Sequence, residues 1–451
     1  MPRIKYATIL RVLVILGLFC VWLQIMVSSG LERDGEELMN GNDTSEQVLA
    51  LVPQELHKYL TVHPRNNTAN STDLPKNITE IRRAIKRYND AQTIYNEDIY
   101  GPVLNDTVII AIQVHTRLTY LRHLIVSLAQ ARDIERTLLV FSHDYYDEEI
   151  NNLVRTIDFT KVMQIFYPYS IQTHPNEFPG VDPNDCPRDA KFEQAIKLKC
   201  NNALHPDLHG HYREAKYTQT KHHWWWKANR IFNQLQCTAS HTGMVVFLEE
   251  DHYVAEDFLH VLNLMRTTAD KTCPQCELLS LGTYLKTYQY HATADKVEIT
   301  PWHSSIHNMG MVFNRTVWNS IMSLQDQFCE YDDYNWDYSL LHLSQNRKGR
   351  EKFKVMMCKG PRVFHIGECG LHHKKSNCNA NLVISKVQKL LQTTKHLLYP
   401  KRLTASINPG GAKHNKKLVK GNGGWGDRRD QEMCTNMTKI DRQLKKYVYF
   451  A

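Results

Sequence analysis

The strand-rich first half of the globular part of this 451-residue chain contains neither a Gly-x-Gly-x-x-Gly fingerprint nor a Gly-Lys-Ser loop. Phosphate groups bound there are therefore not cradled by glycine-rich backbone. No internal repeat is present, which excludes solenoids and propellers. No nucleic-acid-binding motif accompanies the basic tail residues Lys413, His414, Lys416, Lys417 and Lys420, so the net charge of +8 comes partly from a solvated loop and nucleic acid is not an expected partner. Cys273-Pro274-Gln275-Cys276 has no second pair of the same spacing, which disfavours a four-ligand zinc site and favours a local disulfide.

A long apolar run is present at the N-terminus, from Ala7 to Val27. It is long enough to span a bilayer with slight thinning. Arg3 and Lys5 precede it and Glu32, Asp34, Glu36 and Glu37 follow, which places the N-terminus in the cytosol by the positive-inside rule. The expected organisation is a cytosolic tail (1–6), a transmembrane signal anchor (7–27), a lumenal stem (28–105) and a catalytic domain (106–451). A cleaved signal peptide ending near Ser28-Ser29-Gly30 is the alternative and leads to the same oxidising compartment. Sequons at Asn42, Asn66, Asn70, Asn77, Asn105, Asn314 and Asn436, together with ten cysteines beyond Cys20, agree with that compartment and predict disulfides. The stem expectation rests on few apolar runs, many polar residues and a charged helical stretch from Glu80 to about Gln92.

After Asn105 the pattern becomes β-α-β. Val108–Val114 is a continuous apolar strand running into His115-Thr116-Arg117, and Leu118, Leu121, Leu124, Ile125, Leu128 and Ala129 then recur at helical spacing. Strands at Thr137–Phe141, ending on Ser142-His143-Asp144, and at Val162–Phe166 follow. Met244–Leu248 stops on three adjacent carboxylates, Glu249, Glu250 and Asp251. Buried strands of this kind belong to parallel sheets, whose carboxyl ends collect ligands. Three neighbouring acids there call for a cation, and carboxylate oxygens suit Mg²⁺ or Mn²⁺; a solvated acidic turn is the plainer alternative.

The remaining polar motifs are Gln219-Thr220-Lys221-His222-His223-Trp224-Trp225-Trp226-Lys227, His307-Asn308-Met309-Gly310, Tyr331-Asp332-Asp333-Tyr334-Asn335-Trp336-Asp337 and Phe364-His365-Ile366-Gly367-Glu368-Cys369-Gly370. Three successive tryptophans cannot share one helix face, so one is expected on the core and another toward a groove. Acids interleaved with aromatics suit a sugar site, since rings stack on pyranoses while carboxylates take hydroxyl hydrogens. One histidine and one aspartate, with phosphates and water, complete an octahedral metal site.

These motifs, with Pro175–Gly180, Cys186–Asp189 and Asn422–Asp430, resemble the N-acetylglucosaminyltransferase II family from about Asp106 to about Asp430. The resemblance implies an α/β GT-A glycosyltransferase fold, UDP-GlcNAc as donor, Mn²⁺ as cofactor, an N-glycan on glycoproteins as acceptor and a Golgi membrane location with the catalytic domain lumenal. It places the metal on Asp251 and His365 and the catalytic base on Asp337. Nucleotide contacts fall on Gln113, Val114, His115, Thr116, Arg117, Asp144, Gln219, Thr220, Lys221, His222 and His223. Acceptor contacts fall on Arg188, Tyr284, Asn308 and Trp336. It further implies disulfides Cys186–Cys200, Cys273–Cys276, Cys369–Cys378 and Cys329–Cys434, and leaves Cys237 and Cys358 either paired or as thiols. The activity implied is inverting β1,2 transfer of GlcNAc to the α1,6-arm mannose of a glycan already carrying GlcNAc on its α1,3 arm. The first-step enzyme acting on the α1,3 arm, a metal-dependent lumenal hydrolase and a lectin-like binding protein are the rival readings.

Overall fold

The computed structural model describes residues 41–61, 77–285, 287–347, 349, 351–367, 380–408 and 420–448, with side chains of the last helix described as far as Thr438. The apolar run at 7–27 lies outside them, and among the described residues no helix is long and apolar enough to cross a membrane. Residues up to Leu51 form a unit whose described part is helix α1 (Gly41–Ala50); the second unit begins at Val52.

The strands of the second unit are β1 (Ile94–Tyr95), β2 (Ile109–Val114), β3 (Leu138–His143), β4 (Lys161–Phe166), β5 (Val245–Glu249), β6 (His252–Val254), β7 (Cys276–Ser280), β8 (Lys296–Pro301), β9 (Met311–Phe313), β10 (Lys354–Cys358), β11 (Val363–His365) and β12 (Thr404–Ile407). Ten of them form one mixed sheet in the order β1-β4-β3-β2-β5-β9-β7-β10-β8-β12, and β6 and β11 form a separate antiparallel ladder. β4, β3, β2 and β5 are parallel neighbours, as the apolar runs predict.

Alternation along β2 explains why its sequence is apolar throughout. Ile110, Ile112 and Val114 enter one buried cluster with Leu139, Phe141 and the helices α3 (Leu118–Ala129) and α5 (Phe258–Thr272), which flank a helix α4 (Ala215–Asn229) in the chain. Ile109 and Ala111 enter the opposite cluster with Leu138, Val140 and the three tryptophans of α4. β3 and β4 lie to one side of β2 and β5 to the other. Strand order therefore reverses between β2 and β5, and a crevice opens at their carboxyl ends.

Residues 77–105, expected in the stem, belong in large part to the fold. Helix α2 (Ile78–Ala91) buries Ile81, Ala84 and Ile85 against Tyr146 and Phe166, and Asn77 caps it by accepting a hydrogen bond from Glu80 N. β1 pairs antiparallel with β4 at the sheet edge. Upstream, Tyr59 is buried and its hydroxyl donates to Asp158 at 2.6 Å.

Disulfides Cys186–Cys200, Cys273–Cys276 and Cys329–Cys434 are formed; Cys369 and Cys378 lie outside the described residues. Cys237 and Cys358 are free thiols, and Cys358 is buried against Met265.

Candidate active site

The two-stranded ladder brings the metal candidates together. β6 starts immediately after Asp251, its His252 is in register with His365 of β11, and Ile366 N donates to Asp251 O at 2.8 Å. His365 Nε2 thereby sits 3.1 Å from Asp251 Oδ2. Asp251 is buried, and its second oxygen Oδ1 has no hydrogen-bond partner among the described residues. A Cβ on residue 367 would approach Oδ2 to 2.1 Å, so only glycine leaves this face of the carboxylate open. Glu249, Asp251 and His252 also offer ligand atoms within 4.8 Å of one another. His252 Nδ1 is already committed to Glu249 N–H at 3.1 Å, so Glu249 is the better companion to Asp251 and His365. An orphaned carboxylate oxygen beside an imidazole and a second carboxylate fits a divalent cation.

Arg117 reaches the same cluster from the loop after β2. Its Nε lies 2.7 Å from Glu250 Oε1 and its Nη1 2.7 Å from Asp251 Oδ2. Burial works against charge on Asp251, but His365 and Arg117 win and hold its carboxyl well below the usual range.

The expected nucleotide contacts divide into groups that face the crevice and groups spent on holding it. Val114 is buried in β2 and contributes its carbonyl to Asp144 N. His115 Nδ1 is 2.6 Å from Asp144 Oδ1, and Gln219 Nε2 donates to Asp144 Oδ2 at 3.0 Å. Burial opposes the Asp144 charge as well, yet hydrogen bonds from His115 and His223 keep its carboxyl far below the ordinary value. Thr116 is exposed at the crevice and Thr220 half-buried. Gln113 Oε1 accepts from Lys227 Nζ at 2.8 Å.

Three residues of the α4 run do other work than expected. Lys221 is buried with Nζ donating to the carbonyls of Tyr331 and Asp333, so its side chain props the loop before Asp337 instead of a phosphate. His222 Nε2 is 2.8 Å from buried Asp430, and His223 Nε2 is 2.8 Å from Ser142 Oγ. All three tryptophans are buried, and none faces a groove. A helix covered by the sheet on one side and by later helices on the other has no free face, which the spacing of the aromatics does not reveal.

Across the crevice, helix α6 (Trp336–Gln345) presents Asp337 in its first turn. Asn308 Nδ2 donates to Asp337 Oδ2 at 3.1 Å and Tyr338 N to Oδ1 at 3.0 Å. Among the described residues no cation pairs with it. Burial, then the charges of Asp333 and Glu249, push its carboxyl up to about 7. Half-exposed Tyr284 bridges the two sides: its ring is 5.9 Å from that of His365, and its phenol is raised by burial and then by Glu249, Asp251 and Asp337. Trp336, expected against the acceptor, is buried and stacked on Trp224 at 4.5 Å and 2° between planes. It packs beneath Asp337 and offers no sugar platform.

Arg188 lies apart from Tyr284 and Asn308. With Asp207, His211, Tyr217, Tyr334 and Asn422 it lines a cavity of about 450 Å³. The neighbouring loop is tied down by buried Asp333, which accepts from Asn335 N and Asn422 N, and by Asp332, which accepts from Trp425 N. Gly423, at φ +80°, could not carry a Cβ without meeting Asp207 Oδ2 at 2.4 Å. The sequence reading missed Lys227 and Asp333 as site supports; Lys227 closes the α4 run, and burial pulls its amine down to about 7.

The crevice thus sets groups that could hold a divalent cation at the switch point of the parallel strands, opposite the raised carboxyl of Asp337. A sequence model of the N-acetylglucosaminyltransferase II (MGAT2) family matches residues 82–434, and the chain belongs to that family. It is 39% identical over 414 residues to the alpha-1,6-mannosyl-glycoprotein 2-beta-N-acetylglucosaminyltransferase of Sus scrofa, covering 92% of this chain and 86% of that protein. The protein of the same name from Homo sapiens is 42% identical over 366 residues, covering 80% and 79%. That from Arabidopsis thaliana is 32% identical over 352 residues, covering 77% and 78%.

Proposed function

We propose that this protein transfers N-acetylglucosamine from UDP-GlcNAc, with inversion, in β1,2 linkage to the α1,6-arm mannose of an N-glycan already carrying GlcNAc on its α1,3 arm. The fold is of the GT-A type, and the enzyme works in the Golgi lumen as a single-pass membrane protein; the N-terminal apolar run, the sequons and the disulfides support that location. The observation that carries the reading is the opposition of Asp251 and His365 to Asp337 across one crevice, on a chain of this family.

Asp251 and His365 would hold Mn²⁺, which when bound neutralises charge on the departing diphosphate as a Lewis acid. The nucleotide lies along the carboxyl ends of β2 and β3, against Gln113 to Arg117, Asp144, Gln219 and Thr220. Asp337 accepts the proton of the mannose 2-hydroxyl. A carboxyl near 7 is a base matched to neutral pH, and Asn308 and the Tyr338 amide fix its orientation. A single displacement needs no nucleophilic partner for Asp337, unlike the carboxylate pair of a retaining glycosidase.

The cavity beside Arg188 takes the GlcNAc already present on the α1,3 arm, with Tyr217 and Tyr334 as ring surfaces and Arg188, Asp207 and Asn422 as polar partners. Binding a remote sugar positions the reacting hydroxyl. The test measures transfer to the α1,6-arm mannose of the same glycan with and without that GlcNAc. Strong preference for the GlcNAc-bearing glycan is expected. Equal rates would overturn ordered recognition, transfer to a bare α1,3 arm would indicate the first-step enzyme, and sugar release without acceptor would indicate a hydrolase.

A further inference from the structure

Arg117 occupies a position that a catalytic cation also needs. Its guanidinium bridges Glu250 and Asp251 at 2.7 Å each, and both carboxylates are almost wholly buried. Glu250 has other support, accepting from His115 N at 2.8 Å. Among the described residues, Asp251 Oδ2 has two claimants, Arg117 Nη1 and His365 Nε2 at 3.1 Å, while Oδ1 has none. The oxygen nearest His365 is thus already neutralised from within the chain. A divalent cation arriving there meets a full positive charge in a crevice of low dielectric, where like charges repel strongly. A guanidinium that fits a carboxylate fits a phosphate equally well, and the loop carrying Arg117 stands at the end of β2 where a diphosphate would lie.

We infer that Arg117 is an internal counter-ion that competes with the divalent metal for Asp251 and releases it when a nucleoside diphosphate offers the guanidinium another anion, so that metal and nucleotide bind interdependently. This rests on the metal reading of Asp251 and His365. It assigns Arg117 a role on the protein side of the metal site in addition to contact with the nucleotide. Lysine at this position keeps the charge that neutralises Asp251, though not the fixed fork that bridges both carboxylates.

The experiment titrates the full chain with Mn²⁺ by electron paramagnetic resonance of the free ion, with and without UDP. Wild-type protein should bind Mn²⁺ weakly alone and roughly 10-fold or more tightly with UDP, a usual size for coupling between two ligands. Arg117→Gln should bind Mn²⁺ alone about 10-fold tighter than wild type and lose most of the UDP enhancement. Arg117→Lys should stay close to wild type toward Mn²⁺ alone, since it keeps the charge. Asp251→Asn should abolish Mn²⁺ binding in every condition. If Asp251→Asn abolishes binding but Arg117→Gln binds Mn²⁺ no tighter than wild type, the counter-ion role fails while the metal site stands. If wild-type Mn²⁺ affinity is the same with and without UDP, interdependence fails whatever the variants do. Mn²⁺ binding unaffected by Asp251→Asn would overturn the metal reading and this inference with it.

Discussion

The two walls of the crevice treat the same side chain in opposite ways. On the nucleotide wall Asp144 and Asp251 are buried but surrounded by His115, His223, Arg117 and His365, and both stay charged far below neutral pH. On the acceptor wall Asp337 is held by an amide and a backbone N–H with no cation, and nearby Asp333 and Glu249 push it up to about 7. Burial is common to both walls, so the partners decide the outcome. Charge kept far below neutral pH suits a residue that holds a cation, and a proton exchanged near neutrality suits one that moves a proton.

The largest expected effect breaks the acceptor wall. Asp337→Asn should lower turnover by ~10²–10⁴-fold, the usual cost of losing a general base, while calorimetry finds UDP binding intact. Near-normal turnover would remove Asp337 from that role. Next comes the nucleotide wall: Asp251→Ala should weaken Mn²⁺-dependent UDP-GlcNAc binding by at least the ~10–100-fold that loss of even an outer-shell partner costs. Unchanged affinity by calorimetry would show that Asp251 is not a ligand.

The smallest effect is the sharpest, because its sign differs between the walls. The folded-state pKa of Asp337 lies above its unfolded value near 3.9. Between about pH 4 and 7 the folded chain keeps a proton that the unfolded chain gives up, so stability falls as pH rises through that window. Asp337→Asn should accordingly be more stable than wild type at pH 8, by on the order of 1 kcal/mol after solvent screening or about 2 °C, and no different at pH 3.5. Asp144 has a depressed pKa, so its stabilisation is present above about pH 4 and fades as pH falls below it. Asp144→Asn should therefore lower the melting temperature at pH 7 and converge on wild type in acid. Thermal scans in which both variants moved the same way would erase the distinction between the walls.

Much of the nucleotide wall was legible from the chain because it is local. Val108–Val114, Thr137–Phe141 and Val162–Phe166 are continuous apolar runs that end on the polar residues lining the crevice, and Asp251 follows a fourth. The failures share a physical cause. Ile81, Ala84 and Ile85 are three small apolar contacts on an otherwise charged helix, and a two-residue strand such as Ile94–Tyr95 has no period to detect, so both read as stem. Lys221 looks like a phosphate ligand until the carbonyls of Tyr331 and Asp333, over a hundred residues away, are seen around it. Trp336 could be judged only with Trp224 in place against it. His365 stood out as a histidine ending a short strand, the family resemblance gave Asp337 its expected role, and no periodicity in the chain pointed to either.

The segment from Gly421 to Cys434 has a consequence for the order in which the enzyme is made. Residues 107–255 contain the four parallel strands and both ends of the switch point, so the strands beneath the crevice can pair as soon as that stretch has been synthesised, with His365 added later. The acceptor wall cannot. Its loop waits for Trp425, buried with Nε1 donating to Cys329 O, for Asn422 on Asp333, for Asp430 between His222 and Arg213, and for Cys434 to bridge to Cys329. Domains generally fold from the N-terminus during synthesis, and here the loop around Asp337 is secured last, by residues within thirty of the C-terminus. On the proposed reading, a chain released too early would carry the paired parallel strands but an Asp337 loop without its anchors, and such a premature stop should cost transfer more than nucleotide binding.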